Sequence, residues 1–386
     1  MNIIYLDNSA TTPIKSEVLQ EMMPYLTTEY GNASSLYSVG RSAKRAIEKA
    51  RNRVAELLNC NHNEIYFTGG GSESDNIALK GFAYANKEKG NHIITSKIEH
   101  PAILETCKTL ERQGFEVSYI NVNEDGIIDV EELRKSIKTN TILISVMTAN
   151  NEVGTVQPIE EIAKIAHDNN IVFHTDAVQA IGNVRIDVEK MKIDMLSLSS
   201  HKINGPKGVG ALYIKNGIEV EKFINGGHQE KDRRAGTENV AGIVGIGKAA
   251  EIARKNMETH IRNLSKIRDY YIKKVQKEIP NIRINGSMEN RLPGNANISF
   301  KGINASELIF KLDERGICVS SGSACSSGNT NPSHVLTAMN VPEVYLNSAI
   351  RTTFGDNNTF EQVDYVVKIL KQIINKTKTQ VRKMLK

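Results

Sequence analysis

The sequence predicts an α/β protein, with a large domain on a mainly parallel sheet flanked by helices and a smaller α+β domain. Three observations predict it. Between about residues 40 and 250, short β-rich runs alternate with runs at helical spacing. That alternation marks βαβ units, whose helical crossovers bring successive strands in parallel. After about residue 250 it gives way to a long charged amphipathic run and short β-rich pieces. The 386 residues accommodate both parts. The large domain is placed at 14–255, and the small one at 1–13 together with 256–386.

The elements follow in chain order. Ala43, Ala46, Ile47, Ala50, Val54, Leu57 and Leu58 fall at helical spacing, so "SAKRAIEKARNRVAELL" reads as a helix. The β-rich runs are "HIIT" (92–95), "EVSYI" (116–120), "TILISVM" (141–147), "IVFHT" (171–175), "MLSLS" (195–199) and "VGALYI" (209–214). Helical runs such as "IEEIAKIAHDNN" separate many of them. An amphipathic helix covers 251–278, followed by "NISF" and a closing helix that Thr359 and Gln362 begin as a capping box. From Lys371 onward the tail holds six basic residues and no acids, the pattern of a solvated helix end.

Composition excludes several classes. A net charge of +5 is too small for a nucleic-acid footprint, and aromatics at 5% with no Trp leave no base-stacking platform. Cys60, Cys107, Cys318 and Cys325 form no C-x-x-C pair, which argues against a zinc site and a disulfide framework. No stretch approaches 18 consecutive apolar residues, and the start "MNIIYLDNSATT" lacks the basic region of a signal peptide. A cytoplasmic protein without nucleic-acid or membrane partners is the expectation.

Four stretches could carry chemistry. In "SLSSHKINGPKG", Lys202 follows a strand end and Ser199 and His201 stand beside it as hydrogen-bond donors. Ligands of open parallel sheets bind at such carboxyl ends. In "VFHTDAVQAIG", Asp176 ends a β-rich run with Gln179 three residues on. Alone, Asp176 would be a helix cap; beside a strand-end lysine, its carboxylate could pair with the ring nitrogen of pyridoxal phosphate. "FTGGGSES" is a strand, a glycine turn around Gly71 and a helical run, offering backbone N–H groups and the Ser72 hydroxyl to a phosphate. "SKIEHPAI" puts His100 just beyond another strand, able to stack on a ring or move protons. Residues 121–132 mimic a calcium loop, but a strand precedes them, so they read as a strand–turn–helix connection.

A fifth stretch, "VSSGSACSSG" (319–328), surrounds Cys325 with seven Ser and Gly residues out of ten. Such neighbours present a thiol rather than bury it.

Together "SSHKINGPKG", "HTDAVQA", "TANNEVG", "RRAGTENV" and "SSGSACSSG" resemble the NifS/IscS-type cysteine desulfurases, class-V aminotransferase-family enzymes of pyridoxal-phosphate fold type I. The likeness runs from "YLDNSATT" to "SAIRTTFG". It implies a seven-stranded sheet in the large domain and pyridoxal phosphate attached to Lys202. Asp176 would pair with the ring nitrogen, Gln179 with the ring oxygen, and His100 would stack on the ring. Gly71, Ser72, Ser199 and His201 would hold the phosphate, with Thr237 reaching in from a second subunit of a homodimer. Asn151 would serve both cofactor and substrate, and Arg351 would bind the substrate carboxylate. Cys325 would be the nucleophile that takes sulfur from L-cysteine, releases alanine and passes the sulfur to an acceptor such as an iron–sulfur scaffold. No resident metal is implied, with Cys325 available as a transient ligand to a nascent cluster. Two departures stand out: Tyr37 where relatives often have His, and "GGGS" where an Ala-Thr pair is commoner. The rivals are a selenocysteine lyase or another aminotransferase-family enzyme, and, from a different class, a non-catalytic assembly scaffold.

Overall fold

The computed structural model describes residues 3–322 and 332–384. Its strands are β1 (Ile4–Tyr5), β2 (Ile65–Thr68), β3 (His92–Ser96), β4 (Glu116–Ile120), β5 (Thr141–Ser145), β6 (Val172–Asp176), β7 (Met195–Ser199), β8 (Gly210–Ile214), β9 (Ile282–Asn285), β10 (Asn295–Phe300), β11 (Ile317–Cys318) and β12 (Ala349–Thr353). Seven of them form one sheet in the order β2-β8-β7-β6-β5-β3-β4. From β7 to β4 every neighbouring pair is parallel, and only β8 runs against its two neighbours.

The central strands are buried on both faces, as a helix-covered parallel sheet requires, whereas the edge strand β4 begins exposed. Alternate residues serve opposite faces. Ile94, Ile144 and Leu196 join a core with the helices Ser38–Leu58 and Ile159–Asp168. Their neighbours Ile93, Leu143 and Met195 join a second with Phe82, Ile103 and Leu110. A third core lies around β9, β10 and β12, where Tyr271, Phe300, Ile317, Ile350 and Val367 meet Leu6 from the N-terminal segment. That segment is held there by the parallel pair β1–β11.

The predicted strands lie within one or two residues of those observed. The capping box is present: the Thr359 N–H donates to Gln362 Oε1 and the Gln362 N–H donates to Thr359 Oγ1, both at 3.3 Å. Residues 121–132 form the strand–turn–helix connection, with Glu132 accepting from Asn121 N and Nδ2 at 2.9 Å each.

One helix differs. The amphipathic run expected from residue 251 starts at Val240 and ends at Glu278. Its glycine-rich first part hides the helical signal, because Gly lowers helix propensity. Packing supplies the reason for the glycines. A Cβ on Gly247 would fall 2.5 Å from Ala50 Cα, so only glycine lets this helix and Ser38–Leu58 approach so closely. Among the described residues no helix is long and apolar enough to cross a membrane.

Candidate active site

The fold gathers the predicted residues at the carboxyl ends of the parallel strands. Asp176 is the last residue of β6, Ser199 is the last of β7, and His201 and Lys202 lie in the single turn that follows β7. His100, four residues beyond β3, caps the helix Pro101–Glu111, its Nδ1 accepting the Ala102 N–H at 3.2 Å. A cap that accepts through Nδ1 leaves the ring hydrogen on Nε2.

The N-terminal segment closes over this end. The Lys202 ammonium donates to the carbonyls of Ser9 and, at 2.9 Å, Ala10. Gln179 Nε2 donates to the same Ser9 carbonyl at 3.0 Å. His201 pairs with Thr11 Oγ1 at 3.1 Å, and its pKa is pushed down to about 4 by burial and then by Lys202. It is therefore neutral and donates through one nitrogen only.

Beneath them Asp176 lies with two other buried acids, Asp75 and Glu99, that the sequence does not single out. Ligand atoms of Asp75, His100 and Asp176 all lie within 4.8 Å of one another. Asp176 accepts the Val178 N–H at 2.8 Å; burial raises its pKa, while His100 and Lys202 pull it back down. Burial, then Asp176, hold Asp75 well above the usual carboxylate range, although the Ser197 hydroxyl pulls against them. Glu99 is pushed up to about 8 by burial, although Ser96 Oγ and the Met147 N–H donate to it. Burial lowers the pKa of His100. Asp176 thus has the best claim to negative charge among the three acids. A signal for Asp75 and Glu99 exists in the sequence, since each is an acid in or beside a recognised motif, but their burial is not legible there.

The glycine turn opens the helix that carries Asp75. The helix Gly71–Asn76 starts with no side-chain cap, and Ser72 in its first turn is exposed. A Cβ on Gly71 would fall 2.7 Å from Val178 Cγ2 and 3.6 Å from Ser199 Cβ. Glycine therefore keeps space between the turn, the segment after Asp176 and the end of β7. Gly70 has φ of 153° and open space where a side chain would stand.

Arg351 comes from the other sheet. It is 1% exposed inside β12, with Nη2 paired to Asp7 at 2.7 Å and Nη1 donating to the Asn151 carbonyl at 3.2 Å. Its Nε is buried without a partner among the described residues. Asn151 is also buried, and next to it Glu152 accepts from Ser333 Oγ at 2.5 Å.

Two predicted residues remain. Cys325 lies outside the described residues. Upstream of it, Ser320 exchanges backbone hydrogen bonds with Arg351 at 2.6 and 3.1 Å. Thr237 is exposed, three residues before the long helix. Tyr37, 62% exposed, precedes the helix Ser38–Leu58. A cavity of about 500 Å³ reaches Ser9, Gln179 and Lys202 from the side of the long helix. It is bordered by His260 and Asp356 rather than by His100 and Asp176, so the acid cluster and not this cavity marks the chemistry.

The donor set fits pyridoxal phosphate. A primary amine lies close enough to a buried carboxylate to lower its pKa, an imidazole stands beside that carboxylate, and a glycine turn by Ser199 offers N–H groups. With the seven-stranded sheet, this defines a pyridoxal-phosphate-dependent enzyme of fold type I.

Comparison with known proteins narrows the class. The class-V aminotransferase family model matches residues 4–366. Cysteine desulfurase IscS of Clostridium botulinum is 52% identical over 96% of this chain and 94% of its own. IscS of Methanosarcina thermophila is 52% identical over 97% and 92%. Among solved structures, a NifS-like protein superposes with a TM-score of 0.92 at 38% identity, covering 97% of this chain and 100% of its own. SspA in complex with cysteine gives 0.81 at 38%, covering 91% and 98%. The chain belongs to the class-V aminotransferase family, among its IscS-type cysteine desulfurases.

Proposed function

We propose that this chain removes sulfur from L-cysteine, giving L-alanine and a persulfide on Cys325. The observation that carries the reading is the convergence of Lys202, Asp176 and His100 at one end of the parallel sheet, which a non-catalytic scaffold would not need. Bound pyridoxal phosphate supplies an electron sink that makes the substrate Cα–H acidic and loosens its Cβ–Sγ bond.

The chain's own residues do the rest. Lys202 would hold the cofactor and would move the proton from the substrate Cα. Asp176 would keep the ring nitrogen protonated, His100 would stack on the ring and assist proton transfer, and Gln179 would bond the ring oxygen. Gly71, Ser72, Ser199 and His201 would hold the phosphate. Arg351 takes the substrate carboxylate through its guanidinium fork, with Asn151 beside it. The Cys325 thiolate bonds to the substrate sulfur as the Cβ–Sγ bond breaks, and the carbon takes up a proton to become the alanine methyl.

The other thiols support this choice. Burial pushes Cys60 up to about 12 and raises Cys107 and Cys318, so none of them is a ready thiolate at neutral pH. Finer features belong to the same proposal. The enzyme acts as a homodimer in which Thr237 completes the neighbour's phosphate site, works in the cytoplasm, and hands its sulfur to an acceptor such as an iron–sulfur scaffold. Its parts divide near residue 255, with residues 1–13 joining the smaller one.

Incubation with L-cysteine and a reductant tests the reading: alanine and sulfide should appear in equal amounts. A 2-oxo acid product would mark a transaminase instead. Turnover of L-selenocysteine with none of L-cysteine would mark a selenocysteine lyase.

A further inference from the structure

Glu230, Lys231 and Asp232 are three consecutive non-glycine residues with positive φ, at 44°, 55° and 65°. Such residues visit the left-handed region singly, and a run of them persists only where surrounding contacts over-determine it. Here the surroundings are unusually strong. Arg51 forms a two-pronged pair with Glu230, Nη1 to Oε2 at 2.8 Å and Nη2 to Oε1 at 2.9 Å. Both side chains are 4% exposed. Glu230 Oε2 also accepts the Phe67 N–H at 2.8 Å, and Arg51 Nη1 donates to the Ile65 carbonyl at 2.7 Å. The pair is therefore locked to β2, the strand that runs into the glycine turn.

A second tie lies two residues further on. Arg234 Nε meets Glu73 Oε1 at 2.9 Å, and Glu73 Oε2 accepts the Gly69 N–H at 2.9 Å. Thr237 follows three residues later. One strained turn thus sets Arg234 against the chain's own glycine turn and leads directly to Thr237.

We propose that Arg51 and Glu230 are positioning residues for the cofactor's phosphate end, holding the left-handed turn 230–232 so that Arg234 braces the Gly69–Ser72 turn and Thr237 is presented in register. The inference rests on the assignment of that turn and Thr237 to phosphate binding. It adds residues that touch neither cofactor nor substrate and act through the backbone.

The test follows cofactor loss from the holoenzyme by its visible absorbance during dialysis against phosphate buffer. Glu230→Gln and Arg51→Lys should each release pyridoxal phosphate about tenfold faster than the parent, since both break the fork. Adding Lys231→Gly to Glu230→Gln should bring release back to within about threefold of the parent, because glycine holds a positive φ without strain. That rescue separates positioning from the plain cost of a buried unpaired Arg51, which a glycine next door would not relieve. Arg51→Lys keeps the question open to measurement where Glu230→Gln fails to fold. Parent-like release from both single variants, or no rescue by Lys231→Gly, would overturn the proposal. Thr237→Ala is the control on the underlying assignment. Unchanged release in that variant, with fast release in Glu230→Gln, removes Thr237 from the phosphate site and leaves the brace through Arg234 standing.

Discussion

In the seven-stranded sheet the residues of the site stand where strands end, whereas in the three-stranded sheet (β12-β10-β9) Arg351 stands in the middle of β12. Ends of parallel strands release a side chain from the ladder, so Asp176, Ser199 and Lys202 can be aimed into one space by short turns. Arg351 has no such freedom. Both of its neighbours along the strand belong to the ladder with β10, and its own backbone is also paired to Ser320. Its charge must therefore be met in place, by Asp7. One sheet offers chemistry at adaptable edges, and the other offers a single anchored fork.

Predictions can break this contrast or sharpen it. The largest effect belongs to Lys202→Ala, which should lower alanine formation by roughly 10³-fold or more, as loss of both the proposed covalent link and the proposed proton carrier demands. A variant within tenfold of the parent would place the proton carrier elsewhere. Cys325→Ser should abolish the persulfide to a similar degree while the bound cofactor keeps its colour. Brief exposure to L-cysteine, alkylation and peptide mass analysis locate the extra sulfur, and finding it on Cys318 would reassign the nucleophile.

The next effect is on stability. Glu99 is an acid whose pKa rises on folding, from 4.5 to about 8. The folded state therefore holds a proton that the unfolded state gives up, and stability falls as pH rises from about 4.5 through about 8. Glu99→Gln, uncharged throughout, should escape this loss and gain about 3 kcal/mol over the parent between pH 5 and pH 8. Denaturant midpoints at the two values measure it, and an equal difference at both would show Glu99 ionised in the fold.

Arg351→Lys should have the smallest effect of the four. Replacing a fork by a point charge should raise the KM for L-cysteine about 10- to 100-fold with a lesser change in kcat. If kcat falls and KM holds, the side chain serves the reaction rather than the carboxylate, and the contrast between the sheets fails.

Much of the fold and the site is legible in the amino-acid sequence. The buried strands stand out as β-rich runs because a sheet covered on both faces needs little polar alternation, and the motif residues sit at their ends. Thr359 and Gln362 are readable because a capping box is local. What stays hidden is non-local. Residues 240–250 read as neither helix nor strand because their glycines answer to Ala50 and Met22 in other helices. Strand β9 gives no signal of its own, since Ile282–Asn285 is short and only half-buried. Asp75, Glu99 and Glu152 look like ordinary acids, because burial is a property of the assembled sheet and not of the residue.

The long helix Val240–Glu278 has a mechanical consequence. At 1.5 Å per residue it is a strut of about 58 Å. Ile243 and Ile246 fasten one end into the core of the large sheet, and Tyr271 and Val275 fasten the other into the core behind Arg351. With Gly247 seated against Ala50, the strut has almost no play at its first bearing. The cores that carry Lys202 and Arg351 are thus mounted on one common beam.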